Sequence, residues 1–165
     1  MITTFGGGVG AGKFLEGLYS EVKNKQLNII VNTADDIDIY GVRVSPDVDS
    51  ILYWLSGMVD KKKGWGIKGD TFNHLKNKNP KDAWFNLGDK DLEENIRKMS
   101  FINQGHSLQE AIDKQRRKLR INKAKIFPMT NQNVETFIGT KNLRIHFQEY
   151  LIKHKMKPKI EKVVF

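Results

Sequence analysis

Two pairs of acidic residues lie close together in this sequence and could bind a divalent cation. Asp35 and Asp36 follow a short apolar segment directly, and Asp47 and Asp49 follow Pro46. Mg²⁺ prefers carboxylate oxygens supplemented by phosphate oxygens and water. One of these carboxylates could instead orient or deprotonate an attacking hydroxyl group. Simpler alternatives remain open, because Asp47 could cap a helix and the other pair could merely keep a loop soluble.

A glycine-rich run precedes these acids and favours phosphate binding. Five of the seven residues 6–12 are glycine, and Lys13 follows them. Glycines between a strand and a helix let the backbone approach a phosphate closely, and the helix N-terminus directs N–H groups at the anion. The run differs from a P-loop because Phe14 stands where the motif requires Ser or Thr. It differs from a dinucleotide-binding fingerprint because Asn32, and not an acidic residue, follows the second strand. A glycine turn used only for close packing is the alternative.

The elements that must position these residues are typical of a parallel α/β fold. Residues 2–5 form a short apolar strand pattern, helical spacing of apolar residues follows Lys13, and residues 27–31 form a second apolar run. Loops at the carboxyl ends of parallel strands meet at one edge of the sheet. We therefore expect the glycine run and the acids to face each other across a ligand crevice.

The rest of the chain continues this pattern without a linker rich in Gly, Ser or Pro. The sequence predicts one nucleotide-binding α/β domain over residues 1–165. A capping box at Ser107 and Glu110 predicts the start of one helix. The predicted elements are an Asp-rich loop at 32–46, helices at 47–59, 91–101 and 107–118, irregular structure at 60–79, strands at 125–127 and 135–138, and a mixed pattern at 143–151.

Composition excludes several classes of function. The 165 residues contain no Cys, which excludes disulfides, thiolate-bound metals and thiol catalysis. No apolar run approaches the roughly 20 residues of a membrane span, and no signal peptide is apparent, so we expect a cytoplasmic protein without a membrane partner. The net charge of +9 raises the alternative of nucleic-acid binding by the basic residues 116–120. Their helix also fits a solvated face over a core, so no nucleic-acid partner is expected.

The motifs, in their order, resemble the 2-phospho-L-lactate transferase family. The resemblance covers nearly the whole chain and is specific because many motifs recur together. The matching segments are Gly-Gly-Val-Gly-Ala-Gly-Lys-Phe-Leu at 7–15, Val-Asn-Thr-Ala-Asp-Asp at 31–36, Ser-Pro-Asp-Val-Asp at 45–49, and the segments 64–72, 84–92, 128–130, 134–136 and 146–150.

The resemblance implies a fold and a reaction. The implied fold is α/β, with a Rossmann-like, mostly parallel sheet flanked by helices, of which this chain is the N-terminal half. The implied reaction moves a phospholactyl or phosphoenolpyruvyl group from a guanylyl diphosphate donor to 7,8-didemethyl-8-hydroxy-5-deazariboflavin. GMP is released, Mg²⁺ is the cofactor, and the product serves coenzyme F-420 biosynthesis.

The resemblance also implies roles for individual residues. Asp35, Asp36 and Asp49 would bind the metal, and Asp47, Asp49 and Asp35 are the candidates for catalysis. Gly7, Gly8, Gly10 and Lys13 would line the nucleotide diphosphate, and Trp65 and Trp84 would offer flat surfaces to the deazaflavin ring. For each tryptophan, ordinary packing is the alternative.

The chain departs from the family pattern in places. Lys90 stands for the usual Arg, Asn95 for the usual His, and residues 131–132 for the usual acids. Family members are roughly twice as long and carry a further loop of the Gly-Pro-Ser-Asn-Pro type, so we expect a fragment, a truncated product or half of a split enzyme. A homodimer is expected for the complete protein. The alternative is a non-enzymatic sugar-nucleotide-binding regulatory protein of the gluconeogenesis-factor type, which the segments 45–49 and 64–72 fit less well.

Overall fold

The computed structural model describes residues 1–23, 27–76, 78 and 83–165. A parallel three-stranded sheet forms its centre, made of β1 (Ile2–Gly6), β2 (Leu27–Val31) and β5 (Ala124–Pro128). The strand order is β1-β2-β5, with Leu27 level with both Ile2 and Ala124. Alternate residues of the middle strand β2 are fully buried, as expected when helices cover a parallel sheet.

Four longer helices accompany the central sheet. They are α1 (Gly8–Glu21), α2 (Pro46–Ser56), α3 (Asp89–Asn103) and α4 (Leu108–Lys118). The main core gathers side chains of β2, β5 and three of these helices, including Leu15, Ile51, Leu52, Ile112 and Ile126. The predicted capping box of Ser107 and Glu110 is confirmed at the start of α4. The predicted α/β class, with a parallel sheet flanked by helices, is also confirmed.

A hairpin occupies the segment 32–46, where the sequence analysis predicted only a loop. Strands β3 (Ile37–Ile39) and β4 (Val42–Val44) pair antiparallel. Tyr40 and Gly41 both have positive φ, which suits the tight two-residue turn of a hairpin. The prediction was wrong because it relied on the high Asp content of the segment. The alternation of apolar and polar residues, which is the signal of a half-exposed strand, was given too little weight.

A second lobe follows β5 and is antiparallel. It contains β6 (Phe137–Gly139), β7 (Arg144–His146), the short helix α5 (Phe147–Ile152) and β8 (Lys162–Val164). The strand order is β7-β6-β8. The strand predicted at 135–138 begins two residues later than expected, and the mixed pattern at 143–151 becomes a strand followed by a helix.

Two helix starts differ from the sequence predictions. Helix α1 begins at Gly8, inside the glycine run, because Gly12 packs directly against Trp54 of α2 and tertiary contact overrides the low helix propensity of glycine. Ser45, not Asp47, is the N-cap position of α2, so the capping alternative for Asp47 in α2 was wrong. The segment 60–79 contains a short 3-10 helix at Asn73–Leu75, and its residues 77 and 79 lie outside the described part.

Candidate functional site

A cavity of about 550 Å³ opens at the carboxyl ends of β1 and β2. Its volume falls in the range of sites for small organic ligands. Most of its wall is apolar, with aromatic surfaces from Trp65, Phe85 and Phe147. A smaller group of polar side chains lines the same cavity, including Asn32, Asp35, Asp47 and Gln148.

Asn32 joins two of the predicted site acids at the cavity wall. Its Nδ2 donates to Asp35 Oδ1 at 2.9 Å and to Asp47 Oδ2 at 3.1 Å. Gln148, from the antiparallel lobe, donates through Nε2 to the other oxygen of Asp35 at 2.7 Å. Asp35 comes from the loop after β2 and Asp47 from the first turn of α2. The fold therefore brings together two carboxylates that are twelve positions apart in the sequence.

These two carboxylates lie in an environment that disfavours their charged forms. The pKa of Asp35 is raised to about 7, mainly by burial and then by the negative charges of Asp47 and Asp36. Burial also raises the pKa of Asp47, although hydrogen bonds from Asn32 and from the backbone of Gly8 oppose this. Two buried carboxylates whose pKa values are raised in this way could bind a cation or accept a proton near neutral pH.

The glycine run packs against the carboxylate of Asp47. A Cβ atom on Gly7 would lie 2.0 Å from Asp47 Oδ2, and Gly8 has a φ of +71°. The Gly8 backbone donates to the Asp47 carboxylate. Asp47 thus caps the N-terminus of α1 from another helix, at the place where the sequence suggested a phosphate. The absence of side chains at Gly7 and Gly8 is what permits this approach.

Asp36 and Asp49 point to different partners. Asp36 accepts a hydrogen bond from Ser45 Oγ at 2.8 Å and faces Arg43, while its Oδ1 has no hydrogen-bond partner among the described residues. Asp49 forms a buried ion pair with Lys98, whose Nζ lies 3.0 and 3.2 Å from its two oxygens. The structure therefore brings Asp35 and Asp47 together but directs Asp49 into the interior.

The remaining predicted site residues are divided between the cavity and other surroundings. Trp65 lines the cavity and is 37% exposed. Trp84 instead packs on a second apolar cluster and contacts the neighbouring Phe85 edge to face. Gly10 and Lys13 are exposed on α1 and do not line this cavity.

The site offers a limited set of ligands to Mg²⁺. Within the described residues, no three His, Cys, Asp or Glu side chains converge into a group that could hold a metal ion, so Asp35, Asp36 and Asp49 do not form one ligand set. Magnesium is commonly held by one or two carboxylates, with water and substrate phosphates completing its shell. Asp35 and Asp47 fit that smaller requirement.

Several residues of the site were missed by the sequence analysis as functional candidates. They support the acids from neighbouring elements: His146 Nε2 lies 3.0 Å from the Asp36 carbonyl oxygen, and Thr136 Oγ1 donates to the Ala34 carbonyl at 2.6 Å. Burial lowers the pKa of His146, which favours its neutral form. Gln148 and His146 were indicated in the sequence only by their place in the family segment 146–150. Nothing in the sequence indicated that Lys98 would pair with a site acid.

Asp91, a further buried acid, provides a pH-dependent test of the interior beside the site. Asp91 accepts hydrogen bonds from Tyr53 Oη at 2.8 Å and Asn95 Nδ2 at 3.1 Å. Burial, followed by the charge of Asp49, raises its pKa from 3.8 to about 7. Because the folded chain holds this proton more tightly than the unfolded chain, the contribution of Asp91 to stability is lost as pH rises from about 4 to 7.

We expect Asp91→Asn to flatten this dependence. The amide oxygen can still accept from Tyr53, but no buried charge develops. Urea unfolding at pH 5 and pH 8 should show a smaller loss of stability in the variant than in the parent chain. Parallel pH profiles for the two proteins would contradict the assignment.

The parallel α/β core, with an acid-lined cavity at the ends of its first two strands, defines a Rossmann-like protein. Comparison with known proteins narrows this class. The sequence profile described as 2-phospho-L-lactate transferase CofD matches residues 2–165. The chain belongs to the 2-phospho-L-lactate transferase (CofD) family.

Individual relatives agree with this assignment. The chain is 36% identical over 167 residues to a 2-phospho-L-lactate transferase of Methanocorpusculum labreanum, covering 99% of this chain and 55% of the relative. It is 37% identical to the enzyme of the same name from Methanocaldococcus jannaschii, covering 100% and 55%. A phosphoenolpyruvate transferase of Streptomyces coelicolor is 33% identical, with 99% and 53% covered. The chain thus spans about half the length of these relatives.

A solved structure shows the same fold. A UPF0052 family protein from Bacillus halodurans superposes with a TM-score of 0.57 at 17% identity, covering 98% of this chain and 49% of that protein. In the part of the chain that the structure describes, no helix is long and apolar enough to cross a membrane.

Proposed function

We propose that the chain supplies the acid-lined half of a transferase site. The site moves a phospholactyl or phosphoenolpyruvyl group from a guanylyl diphosphate donor to 7,8-didemethyl-8-hydroxy-5-deazariboflavin, in coenzyme F-420 biosynthesis. The observation that carries this proposal is the pair Asp35 and Asp47, joined by Asn32, at the wall of a mostly apolar cavity. Family membership supports the general reaction, and the names of the relatives include both donor types.

The proposed reaction is an in-line displacement at phosphorus. A ribityl hydroxyl oxygen of the acceptor forms a new bond to the phosphorus that carries the lactyl or enolpyruvyl group. The bond from that phosphorus to the bridging oxygen of the diphosphate breaks, and GMP leaves with the bond electrons. The hydroxyl proton passes to whichever carboxylate oxygen of Asp35 or Asp47 does not bind the metal ion.

The cavity walls would orient the two substrates. Trp65, Phe85 and Phe147 provide an apolar surface for a flat ring system next to the carboxylates. Asp35 and Asp47 would hold Mg²⁺, which when bound neutralises charge on the phosphate oxygens. Gln148 fixes Asp35 in its orientation through the hydrogen bond to Oδ2.

Binding measurements test this proposal directly on the chain. We expect Asp35→Asn to remove Mg²⁺ binding in calorimetry while leaving quenching of deazariboflavin fluorescence intact, because the ring would contact the aromatic side chains and not the carboxylate of Asp35. Gln148→Ala should weaken Mg²⁺ binding by about 10–100-fold, the usual effect of removing a group that orients a metal ligand. Asp38→Asn, at an exposed carboxylate on β3, is the matched control and should change neither.

Two outcomes would refute the proposal. Equal Mg²⁺ affinity in the parent chain and Asp35→Asn would exclude the metal role of this carboxylate. Binding of a sugar nucleotide without any binding of deazariboflavin would favour the regulatory alternative. Release of GMP by the complete protein in the presence of donor, acceptor and Mg²⁺ is the final readout, and Asp35→Asn should abolish it.

A further inference from the structure

Two irregular segments supply aromatic surface to the cavity. Trp65 lies in the segment 64–72, and Phe85 lies in the segment 84–88 that leads into helix α3. Neither segment forms a helix or a strand. Irregular segments keep a fixed position only where specific contacts hold them, because they lack the regular hydrogen bonds of helices and sheets. The contacts between these two segments therefore matter for the arrangement of the aromatic wall.

Asp70, at the end of the segment 64–72, caps helix α3. Its Oδ1 accepts from the backbone N–H of Lys90 at 2.9 Å, and its Oδ2 accepts from the backbone N–H of Asp91 at 3.1 Å. These are the second and third residues of α3, whose N–H groups an N-cap side chain normally satisfies. The residue at the N-cap position is Gly88, where a Cβ atom would lie 2.1 Å from Asp70 Oδ2. The absence of a side chain at Gly88 therefore makes room for the acid.

Asp89, the first residue of α3, makes the corresponding contact in the opposite direction. Its carboxylate accepts from the backbone N–H groups of Asn73 at 2.9 Å and His74 at 3.0 Å, at the start of the 3-10 helix. It also accepts from the Thr71 hydroxyl, and its own backbone N–H donates to the Thr71 carbonyl at 2.7 Å. The hydrogen bond from Thr71, followed by those from His74 and Asn73, lowers the pKa of Asp89 and keeps its carboxylate charged.

Each of these acids thus caps a helix on the other side of the contact, and we call the pair Asp70 and Asp89 the reciprocal cap. We propose that the reciprocal cap holds Trp65 and Phe85 in place as a binding surface for the flat ring of the acceptor. Asp70 follows Trp65 by five positions, and Gly88 follows Phe85 by three, so the cap joins the two segments close to both rings. Asp70 and Asp89 are then positioning residues. The identity of the ring rests on the proposed function, whereas the contacts of the cap do not.

The reciprocal cap is separate from the contacts that hold the metal-binding carboxylates. Asp35 and Asp47 are held by Asn32 after β2, and Asp35 also by Gln148 of α5. Loss of the reciprocal cap should therefore weaken ring binding without weakening Mg²⁺ binding. This is the opposite of the pattern expected for Asp35→Asn, and general loss of structure would produce neither pattern.

Binding measurements on variants of the reciprocal cap test the proposal. Asp70→Ala leaves two N–H groups of α3 without their acceptor, and we expect the affinity for deazariboflavin in fluorescence quenching to fall about tenfold. Gly88→Ala should have a similar effect, because the added Cβ would displace the Asp70 carboxylate. Asp70→Asn keeps an oxygen that caps helices as well as aspartate does, so its affinity should stay within about threefold of the parent. Calorimetry should give the same Mg²⁺ affinity in all three variants.

Gly17→Ala is the matched control for Gly88→Ala. Gly17 is exposed on α1, and a Cβ there would meet no atom within 4 Å, so both affinities should be unchanged. Circular dichroism establishes that each variant folds. Thr71→Val provides a milder test if Asp70→Ala does not fold. It removes the hydroxyl that donates to Asp89 and should weaken deazariboflavin binding severalfold.

Hydrogen exchange distinguishes failure of this proposal from failure of the proposed function. A peptide covering 64–72 should exchange about tenfold faster in Asp70→Ala than in the parent, and a peptide covering β2 should be unchanged. Unchanged exchange at 64–72 would overturn the proposal, as would equal deazariboflavin affinity in Asp70→Ala and the parent. Parallel loss of deazariboflavin and Mg²⁺ binding would also overturn it. A parent chain that binds no deazariboflavin would refute the proposed acceptor, and the exchange comparison would then decide whether the reciprocal cap holds the segment.

Discussion

Replacing Lys98 with methionine is expected to lower the free energy of unfolding by about 3–5 kcal/mol, the largest effect that we predict for a single side chain. Lys98 and Asp49 are paired in the interior, with only 2% and 5% of their side chains exposed. Methionine fills a similar volume but leaves the Asp49 charge buried without its partner. Urea unfolding followed by tryptophan fluorescence measures the change as a lower midpoint at unchanged slope.

Two further variants distinguish loss of the ion pair from loss of packing. Lys118→Met removes a cation that pairs with Glu94 at the surface, and it should cost no more than about 1 kcal/mol. The double variant Lys98→Met with Asp49→Leu should recover most of the stability, because neither charge of the pair is then left buried without the other. A double variant as unstable as the single one would show that packing, not charge, is responsible.

Replacing Gly12 with alanine is expected to destabilise the chain by about 1–3 kcal/mol, although alanine is the better helix former. An added Cβ would lie 2.2 Å from Trp54 Cδ1. Trp54 is buried and donates through Nε1 to the Gly64 carbonyl at 3.2 Å, so it has little freedom to move. Thermal unfolding by circular dichroism measures the change in melting temperature.

Gly17→Ala on the same helix provides the matched control. Gly17 is exposed, and a Cβ there would meet no atom within 4 Å. Helix propensity then acts alone, and stability should increase by about 0.5–1 kcal/mol. Opposite signs for the two substitutions are the expected result; equal stabilisation by both would contradict the tight packing of α1 on α2.

The separation of Asp47 from Asp49 explains why the acidic residues do not form one site. Both lie in the first turn of α2, where residues two positions apart point about 200° away from each other. Once the helix begins at Pro46, one carboxylate faces the cavity and the other faces the interior. The expectation that both could serve a metal did not take this restriction into account, although a helix was predicted over residues 47–59.

The sequence by itself determined the class of fold, the strands at 27–31 and 125–127, the capped start of α4 and the family. These features depend on local patterns: a continuous apolar run, a capping box, and motifs in a fixed order. The sequence also indicated which acids to consider, because it places them after strands whose carboxyl ends share one edge of the sheet.

Only the tertiary structure decided which acids meet and what the glycines contact. Asp35 reaches Asp47 through Asn32, Asp49 reaches Lys98 of α3, and Gln148 reaches Asp35 from the antiparallel lobe. Each of these partners is distant in sequence or hidden by helix geometry, and no local pattern encodes such contacts. The close approach of Gly7 to Asp47 and of Gly12 to Trp54 depends in the same way on the packing of α1 against α2.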